Sequence, residues 1–251
     1  MTGNLFAILV LGLLAFLFVF TAWFFHRQEV GEEKEDAHVL IQTMSNDAVF
    51  LALIVLMTFV PYLGYLSVFG GVITFTLLHL PVLLGASLMG WKRGAFYGLA
   101  FGFFCWIRAL TSATSPFDIL FMNPLISILP RFLFGLVAGL LFEIPRFLRK
   151  ESQKRGLSTV LAAVATILHT VLVFGSIYLF TQGQTAWLWK WLFSGDTSAL
   201  GMTALALTAL GAGGEAVLAA FFVPTLHIVL VKALPRSWPS VGMKMGGNKH
   251  A

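Results

Sequence analysis

Long apolar stretches, each of roughly 20 residues or more, recur along the chain and limit its fold more than any other feature. An α-helix of that length crosses about 30 Å of hydrocarbon. The stretches lack the alternation of apolar and polar residues that barrel strands show, so backbone hydrogen bonds in the bilayer must be made within helices. With 58% hydrophobic and only 11% charged residues, the sequence predicts an all-α membrane protein.

The first apolar stretch, Leu5–Phe25, is followed by a short charged segment. It has no positively charged start and no small-residue cleavage site, so we predict a retained helix rather than a signal peptide. The six later spans have the approximate bounds Ala48–Phe69, Ile73–Met89, Ala95–Leu110, Phe117–Phe142, Leu157–Phe180 and Leu200–Val231. The predicted organisation is an extra N-terminal transmembrane helix (1–26), a charged cytoplasmic linker (27–47), a six-helix membrane domain (48–234) and a cytoplasmic tail (235–251).

Lysine and arginine residues are concentrated in alternate loops, among them the loop with Lys92 and Arg93 and the loop between residues 146 and 155. Cytoplasmic loops carry an excess of these residues. We therefore predict a multi-pass protein of the cell membrane with its N-terminus outside and its C-terminus in the cytoplasm. The net charge of +5 follows from this topology and does not indicate a nucleic-acid partner, which would need a basic face on a soluble module.

Sequence motifs for catalysis, nucleotide binding and metal binding are missing. The chain has no GxxxxGK[ST], HExxH or GxSxG pattern. The single cysteine, Cys105, excludes an internal disulfide and a cysteine-based metal site. His79, His169 and His227 lie on separate spans without ligand spacing, which favours packing or hydrogen-bonding roles. We predict no cofactor, no metal and no enzymatic activity.

Small residues recur at every fourth position of several spans, which places them on one helix face where two backbones can approach closely. Internal helix contacts are predicted at Gly94, Gly98 and Gly102, at Gly135 and Gly139, and at Ala212, Ala216 and Ala220. The pair Ala48 and Ala52 differs, because it lies at the predicted cytoplasmic start of a span. Internal packing and docking of a partner both remain open for this pair.

Three segments together carry a resemblance to a known family. They are HLPVLLGASLMGWKRGAFYGLAFG at 79–102, NPLISILPR at 123–131 followed by Gly135, and Gly214-Glu215-Ala216 with Val223-Pro224 downstream. In order and topology they resemble the substrate-binding (S) components of energy-coupling factor (ECF) transporters, over roughly Ala48 to Leu234. The pantothenate-type branch is the most similar, with cobalamin-type and folate-type relatives close behind.

The resemblance implies a six-helix fold that captures a vitamin outside the cell and delivers it with a membrane scaffold (T) subunit and two cytoplasmic ATPases. In that family an AxxxA motif on the first core helix is the docking face for the scaffold, and Ala48 and Ala52 match its spacing and place. The extra helix Leu5–Phe25 departs from the six-helix pattern, and it would have to pack on the side of the core away from the scaffold.

Polar residues inside the apolar spans are the candidate substrate-binding residues, because a charge in hydrocarbon is costly unless it is paired or hydrated. Asn123, Ser127 and Arg131 are spaced by four and share one helix face. Glu215 is predicted at a depth similar to that of Arg131, so the two either form a structural ion pair or bind the ligand. His79, at the start of the first motif, is included with them.

Arg108 and Trp106 lie near the predicted outer end of their span. An arginine there either reaches to lipid headgroups or provides a fixed cation for the carboxylate of an anionic vitamin. Trp187, Trp189 and Trp191 favour an interfacial aromatic belt, with a lid over the ligand as the alternative.

We therefore predict the substrate-specific subunit of an ATP-driven vitamin importer, with a pantothenate-like small anionic vitamin favoured. The alternative within transport is a solitary proton-coupled carrier that uses Arg131 and Glu215. An intramembrane enzyme or a membrane scaffold is less favoured.

Overall fold

The computed structural model describes residues 37–60, 63–68, 73–113, 116–148, 150–180 and 199–233. The chain divides into two units, Met1–Ser45 and Asn46–Ala251, and the site belongs to the second. The predicted extra helix at Leu5–Phe25, the three outer tryptophans at 187, 189 and 191 and the predicted tail lie outside the described residues. The proposed division at 26, 47 and 234 stays a prediction.

Helices dominate the described residues, with one short β-hairpin near the start. In chain order the elements are α1 (Ala37–Phe59), β1 (Tyr65–Val68), β2 (Ile73–Thr76), α2 (His79–Met89), α3 (Trp91–Ser112), α4 (Pro116–Leu120), α5 (Pro124–Leu141), a 3₁₀ turn (Ile144–Phe147), α6 (Glu151–Phe180) and α7 (Ala199–Ala233). Segments within α3, α5, α6 and α7 are long and apolar enough to cross a membrane. The predicted all-α membrane fold is confirmed for this part of the chain, and the hairpin is an addition to it.

The hairpin corrects the predicted spans Ala48–Phe69 and Ile73–Met89. The first helix ends at Phe59 instead, and the second begins only at His79. Between them β1 and β2 pair antiparallel, with Val68 opposite Ile73. The strands are rich in β-branched and aromatic residues, which favour extended backbone. Helix α2 is consequently only 11 residues long, about half the length that crosses a bilayer.

Two further predicted bounds change at helix ends. The predicted span Phe117–Phe142 is divided into α4 and α5, because Asn123 caps the second helix and Pro124 takes its first position. The Asn123 Oδ1 accepts a hydrogen bond from the Leu125 backbone N–H at 3.0 Å. Helix α1 begins at Ala37, so residues 37–47 of the predicted linker are helical.

Helices α3 and α5 pack antiparallel through the glycines that the fourfold spacing singled out. A Cβ added at Gly94 would lie 2.5 Å from the Gly135 carbonyl oxygen, and one at Gly102 would lie 2.7 Å from the Ile128 Cα. A Cβ at Gly98 would overlap the Arg131 carbonyl oxygen. These backbones therefore touch directly, as predicted. We call this contact the glycine seam; it fixes the depth of Arg131 relative to α3.

Candidate functional site

Arg131 lies in the interior of the bundle, where its guanidinium group is surrounded by aromatic rings and backbone carbonyls. The residue is 6% exposed. Its Nη1 donates to the Ser127 carbonyl oxygen at 2.7 Å and to the Ile126 carbonyl at 3.4 Å. The guanidinium carbon lies 4.6 Å from the centre of the Phe121 ring and 5.3 Å from that of Phe101. Cation–π contacts and carbonyl dipoles thus compensate part of the cost of burying this charge.

Two histidines from different helices lie beside this arginine. The rings of His79, at the start of α2, and His169, in α6, are stacked with their centres 5.8 Å apart. The centre of the His169 ring also lies 4.7 Å from that of Phe134 and 5.8 Å from that of Phe101. Phe101 is also one of the two rings that contact the Arg131 guanidinium. Both histidines are buried. Four helices, α2, α3, α5 and α6, therefore contribute to one interior cluster.

The cluster contains nitrogen atoms without hydrogen-bond partners. Within the part of the chain that the structure describes, these buried atoms are both ring nitrogens of His79, the Nε2 of His169 and the Nε of Arg131. Buried polar atoms are nearly always hydrogen-bonded, to protein, water or ligand. Their concentration at one place makes this cluster the candidate ligand site. We refer to His79, His169, Arg131, Phe101, Phe121 and Phe134 as the arginine–histidine cluster.

Glu215 has a partner other than Arg131. Its Oε1 accepts a hydrogen bond from the backbone N–H of Thr76, at the end of β2, at 2.6 Å. Gly214, the preceding residue, is in contact with the Phe75 ring of the same strand. The expected Arg131–Glu215 ion pair is therefore not formed, because each charge is bound by backbone groups of its own surroundings. Glu215 fastens the hairpin to α7.

The other predicted site residues have structural contacts. The Ser127 hydroxyl donates to the Gly102 carbonyl oxygen at 3.1 Å and thereby joins α5 to α3. The Trp106 indole Nε1 donates to the Met122 carbonyl oxygen at 2.9 Å, just before α5. Asn123 is exposed and caps α5. Arg108 is half-buried on α3, about one turn beyond Cys105. Of the predicted residues, His79 and Arg131 are thus brought together, whereas Asn123, Ser127 and Trp106 stabilise helix ends and contacts.

Sequence reasoning missed a buried polar group at the opposite end of the bundle. Asp47 on α1 forms an ion pair with Arg93 on α3, in which the Arg93 Nη1 donates a hydrogen bond to the Asp47 Oδ2. The Tyr97 hydroxyl donates to the other Asp47 oxygen at 2.5 Å. Both charged side chains are 7% exposed. A signal existed, because Asp47 precedes the apolar run of α1 directly, but the predicted boundary placed it in the linker.

The small pair Ala48 and Ala52 follows Asp47 and is exposed on the surface of α1. Val49 and Leu56 near them are exposed as well, at 58% and 49%. Among the described residues nothing buries either alanine, so the internal-packing alternative for this pair is not observed. The docking alternative stays a prediction.

The described residues contain no group of three or more His, Cys, Asp and Glu side chains arranged to hold a metal ion. The two clustered histidines are stacked ring on ring at 5.8 Å instead of pointing at a common centre.

Comparison with known proteins places these features in a family. The sequence model described as ECF transporter, substrate-specific component, matches residues 42–234. The chain is 34% identical over 126 residues to the pantothenic acid transporter PanT of Lactococcus lactis subsp. cremoris, an alignment that covers 45% of this chain and 60% of that protein. It is 31% identical over 137 residues to the pantothenate transporter PanT of Leuconostoc mesenteroides, covering 50% and 66%. The chain thus spans less than two thirds of the length of these relatives.

Proposed function

The chain belongs to the family of substrate-specific components of ECF transporters, and from that membership we propose that it captures a small vitamin with a carboxylate group, pantothenate or a close analogue. The observation that carries the proposal is the buried Arg131 guanidinium, whose Nε has no acceptor among the described residues. The names of the two relatives support the choice of pantothenate. The chain supplies binding and orientation, and other subunits supply energy.

A carboxylate is the ligand that fits this guanidinium. Arginine presents its donors in a planar fork that matches two carboxylate oxygens, and such charge-assisted bonds are stronger than neutral ones. The guanidinium carbon contacts the rings of Phe101 and Phe121, and Nη1 donates to backbone carbonyls, so Nε is the donor that a ligand carboxylate would reach. A carboxylate would also neutralise a charge that is costly to bury in the membrane.

Removing the guanidinium should weaken binding of the anionic vitamin selectively. We expect Arg131→Met to lower the affinity for pantothenate roughly tenfold to a hundredfold, since a charged hydrogen bond contributes about 1.5 to 3 kcal/mol. Arg131→Lys should recover only part of this loss. Calorimetric titration in detergent with pantothenate and its neutral alcohol, pantothenol, measures the effect. Equal affinity of the unaltered protein for both ligands would contradict a cationic anchor.

Arg108 is the competing cation, and the same titration separates the two. If Arg108 binds the carboxylate near the outer opening, Arg108→Ala should lower the affinity for pantothenate by a similar factor and Arg131→Met should not. With Arg131 as the anchor, we expect Arg108→Ala to leave the preference for pantothenate over pantothenol unchanged. If neither arginine variant changes the affinity for pantothenate, the substrate is not recognised by its charge.

We further propose that the face with Ala48 and Ala52 docks on the membrane scaffold subunit, which is coupled to two cytoplasmic ATPases. Family membership and the exposure of both alanines support this. Small residues let a partner helix approach closely in lipid. The ion pair between Asp47 and Arg93 joins the start of this face to the basic first turn of α3, and we propose that both lie on the cytoplasmic side.

Bulk on the docking face should separate the partners without disturbing the ligand site. We expect Ala48→Trp and Ala52→Trp each to abolish uptake and co-purification with the scaffold, while calorimetric affinity for pantothenate is unchanged. Val164→Trp is a matched control, since Val164 is 45% exposed on α6. Normal uptake by both alanine variants would remove the docking assignment. Uptake in cells that lack the ATPases would favour the solitary carrier instead.

A further inference from the structure

His79 and His169 form a second polar position in the arginine–histidine cluster that the charge of Arg131 does not explain. Three of their ring nitrogens are buried without a well-aligned hydrogen-bond partner in the described part of the chain, and the backbone of Thr76 is the polar group next to the His79 ring. His79 is 0% exposed and His169 is 7% exposed. The two imidazole faces are stacked on each other, whereas Phe134 contacts His79 edge-on and His169 at a tilt, and the ring nitrogens lie on the imidazole edges.

We infer that His79 and His169 together bind the hydroxyl-bearing end of the ligand and set the specificity of the site for polyhydroxy acids over plain acids. The inference rests on the proposed function, because it takes Arg131 as the anchor for the carboxylate. A neutral imidazole offers one N–H donor and one acceptor nitrogen. A hydroxyl group also donates and accepts, so a pair of hydroxyls matches the open ring edges, whereas a hydrocarbon chain does not.

One aromatic ring, Phe101, contacts both polar positions. The Phe101 ring contacts the Arg131 guanidinium at 5.3 Å and the His169 ring at 5.8 Å. A ligand that reaches from the guanidinium to the imidazoles therefore passes the Phe101 side chain, against which the two methylene groups next to the carboxylate of pantothenate can pack. His169 belongs to α6 and His79 to α2, so the ligand would connect helices that are far apart in sequence.

The test compares the affinities for two ligands in the unaltered protein and in two histidine variants. The ligands are pantothenate and its analogue in which both hydroxyl groups are replaced by hydrogen. The analogue leaves the buried imidazole nitrogens of the protein unpaired, which costs about 1 to 3 kcal/mol. We therefore expect the unaltered protein to prefer pantothenate roughly tenfold or more. In His79→Phe and His169→Phe this preference should fall to about twofold or less, while the affinity for the analogue is retained. His227→Phe is the control, since His227 contacts Ser87 elsewhere and should keep the full preference.

Thermal unfolding without ligand supplies a second readout. Phenylalanine keeps a flat aromatic ring, slightly larger than imidazole, and removes the unpartnered nitrogens, so the ligand-free variants should unfold at an unchanged temperature or about 2 to 4 °C higher. A variant that gains thermal stability and loses hydroxyl preference has lost a binding group and kept its packing. His169→Gln, which retains a donor and an acceptor, should keep part of the preference.

The outcomes separate this inference from the proposed function. No binding of pantothenate by the unaltered protein would overturn the proposed function. Binding of pantothenate with an undiminished hydroxyl preference in both phenylalanine variants would overturn the inference alone. A lower unfolding temperature in both variants with the preference intact would show that the imidazoles serve packing or buried water, and would overturn it as well.

Discussion

Replacement of Asp47 by alanine is expected to destabilise the protein by about 3 to 5 kcal/mol, because it leaves the Arg93 guanidinium buried without its counter-charge. Thermal unfolding of the purified protein in detergent measures the loss. Tyr97→Phe should cost less, about 1.5 to 3 kcal/mol, since it removes one hydrogen bond to a charged oxygen.

A double change tests whether the pair itself matters. Asp47→Leu combined with Arg93→Met removes both charges and keeps apolar volume, so its effect should be much smaller than that of Asp47→Ala. Glu151→Ala is the surface control, because its partner Lys154 and the carboxylate are solvent-exposed at a helix start and such pairs contribute little. An Asp47→Ala variant as stable as this control would show that Arg93 finds another partner.

A second large loss of stability is expected from any side chain added to the glycine seam. In Gly98→Val the new Cβ overlaps the Arg131 carbonyl oxygen, which belongs to backbone and cannot rotate away. Helices α3 and α5 would have to separate, at a cost of about 3 kcal/mol, the upper part of the range for an overpacked core. Because the seam fixes the depth of Arg131, the affinity for pantothenate should fall together with the unfolding temperature.

Gly175→Val is the matched control for the seam. Gly175 also lies inside a long membrane helix, α6, but an added Cβ meets nothing within 4 Å. We expect it to unfold close to the unaltered protein and to bind pantothenate normally. If Gly98→Val behaved like Gly175→Val, the close contact between α3 and α5 would be wrong.

The seam could be predicted from sequence, because fourfold spacing of glycine is a local property of a single helix. The arginine–histidine cluster could be predicted only in part. The sequence indicates Arg131 and His79 as candidates because they are polar in apolar surroundings, whereas for His169 it favours only packing or hydrogen bonding. Its role depends on α6 lying against α2 and α5, and no spacing within one helix contains that information.

The ion pair between Arg131 and Glu215, one of the two alternatives for these residues, is not formed for a related reason. The similar depth of Arg131 and Glu215 follows from counting residues along two continuous spans. In the structure the hairpin places the Thr76 N–H beside Glu215, which binds it instead of Arg131. A short apolar run of β-branched residues cannot be told from a helix by periodicity alone. The adjacent Gly70 and Gly71, between two such runs, were the available sign of a hairpin.

The short second helix has a consequence for the order in which the protein is made. Helix α2 and the preceding hairpin cannot cross the hydrocarbon as an independent unit, since the helix is only 11 residues long and strand backbone must be covered by protein in lipid. Part of that cover comes from Glu215 and Gly214 on α7, the last helix of the described chain. The hairpin is therefore synthesised long before α7, the helix that covers part of it. We expect this region to reach its membrane position after synthesis of α7, and truncation before Glu215 to leave it sensitive to proteolysis.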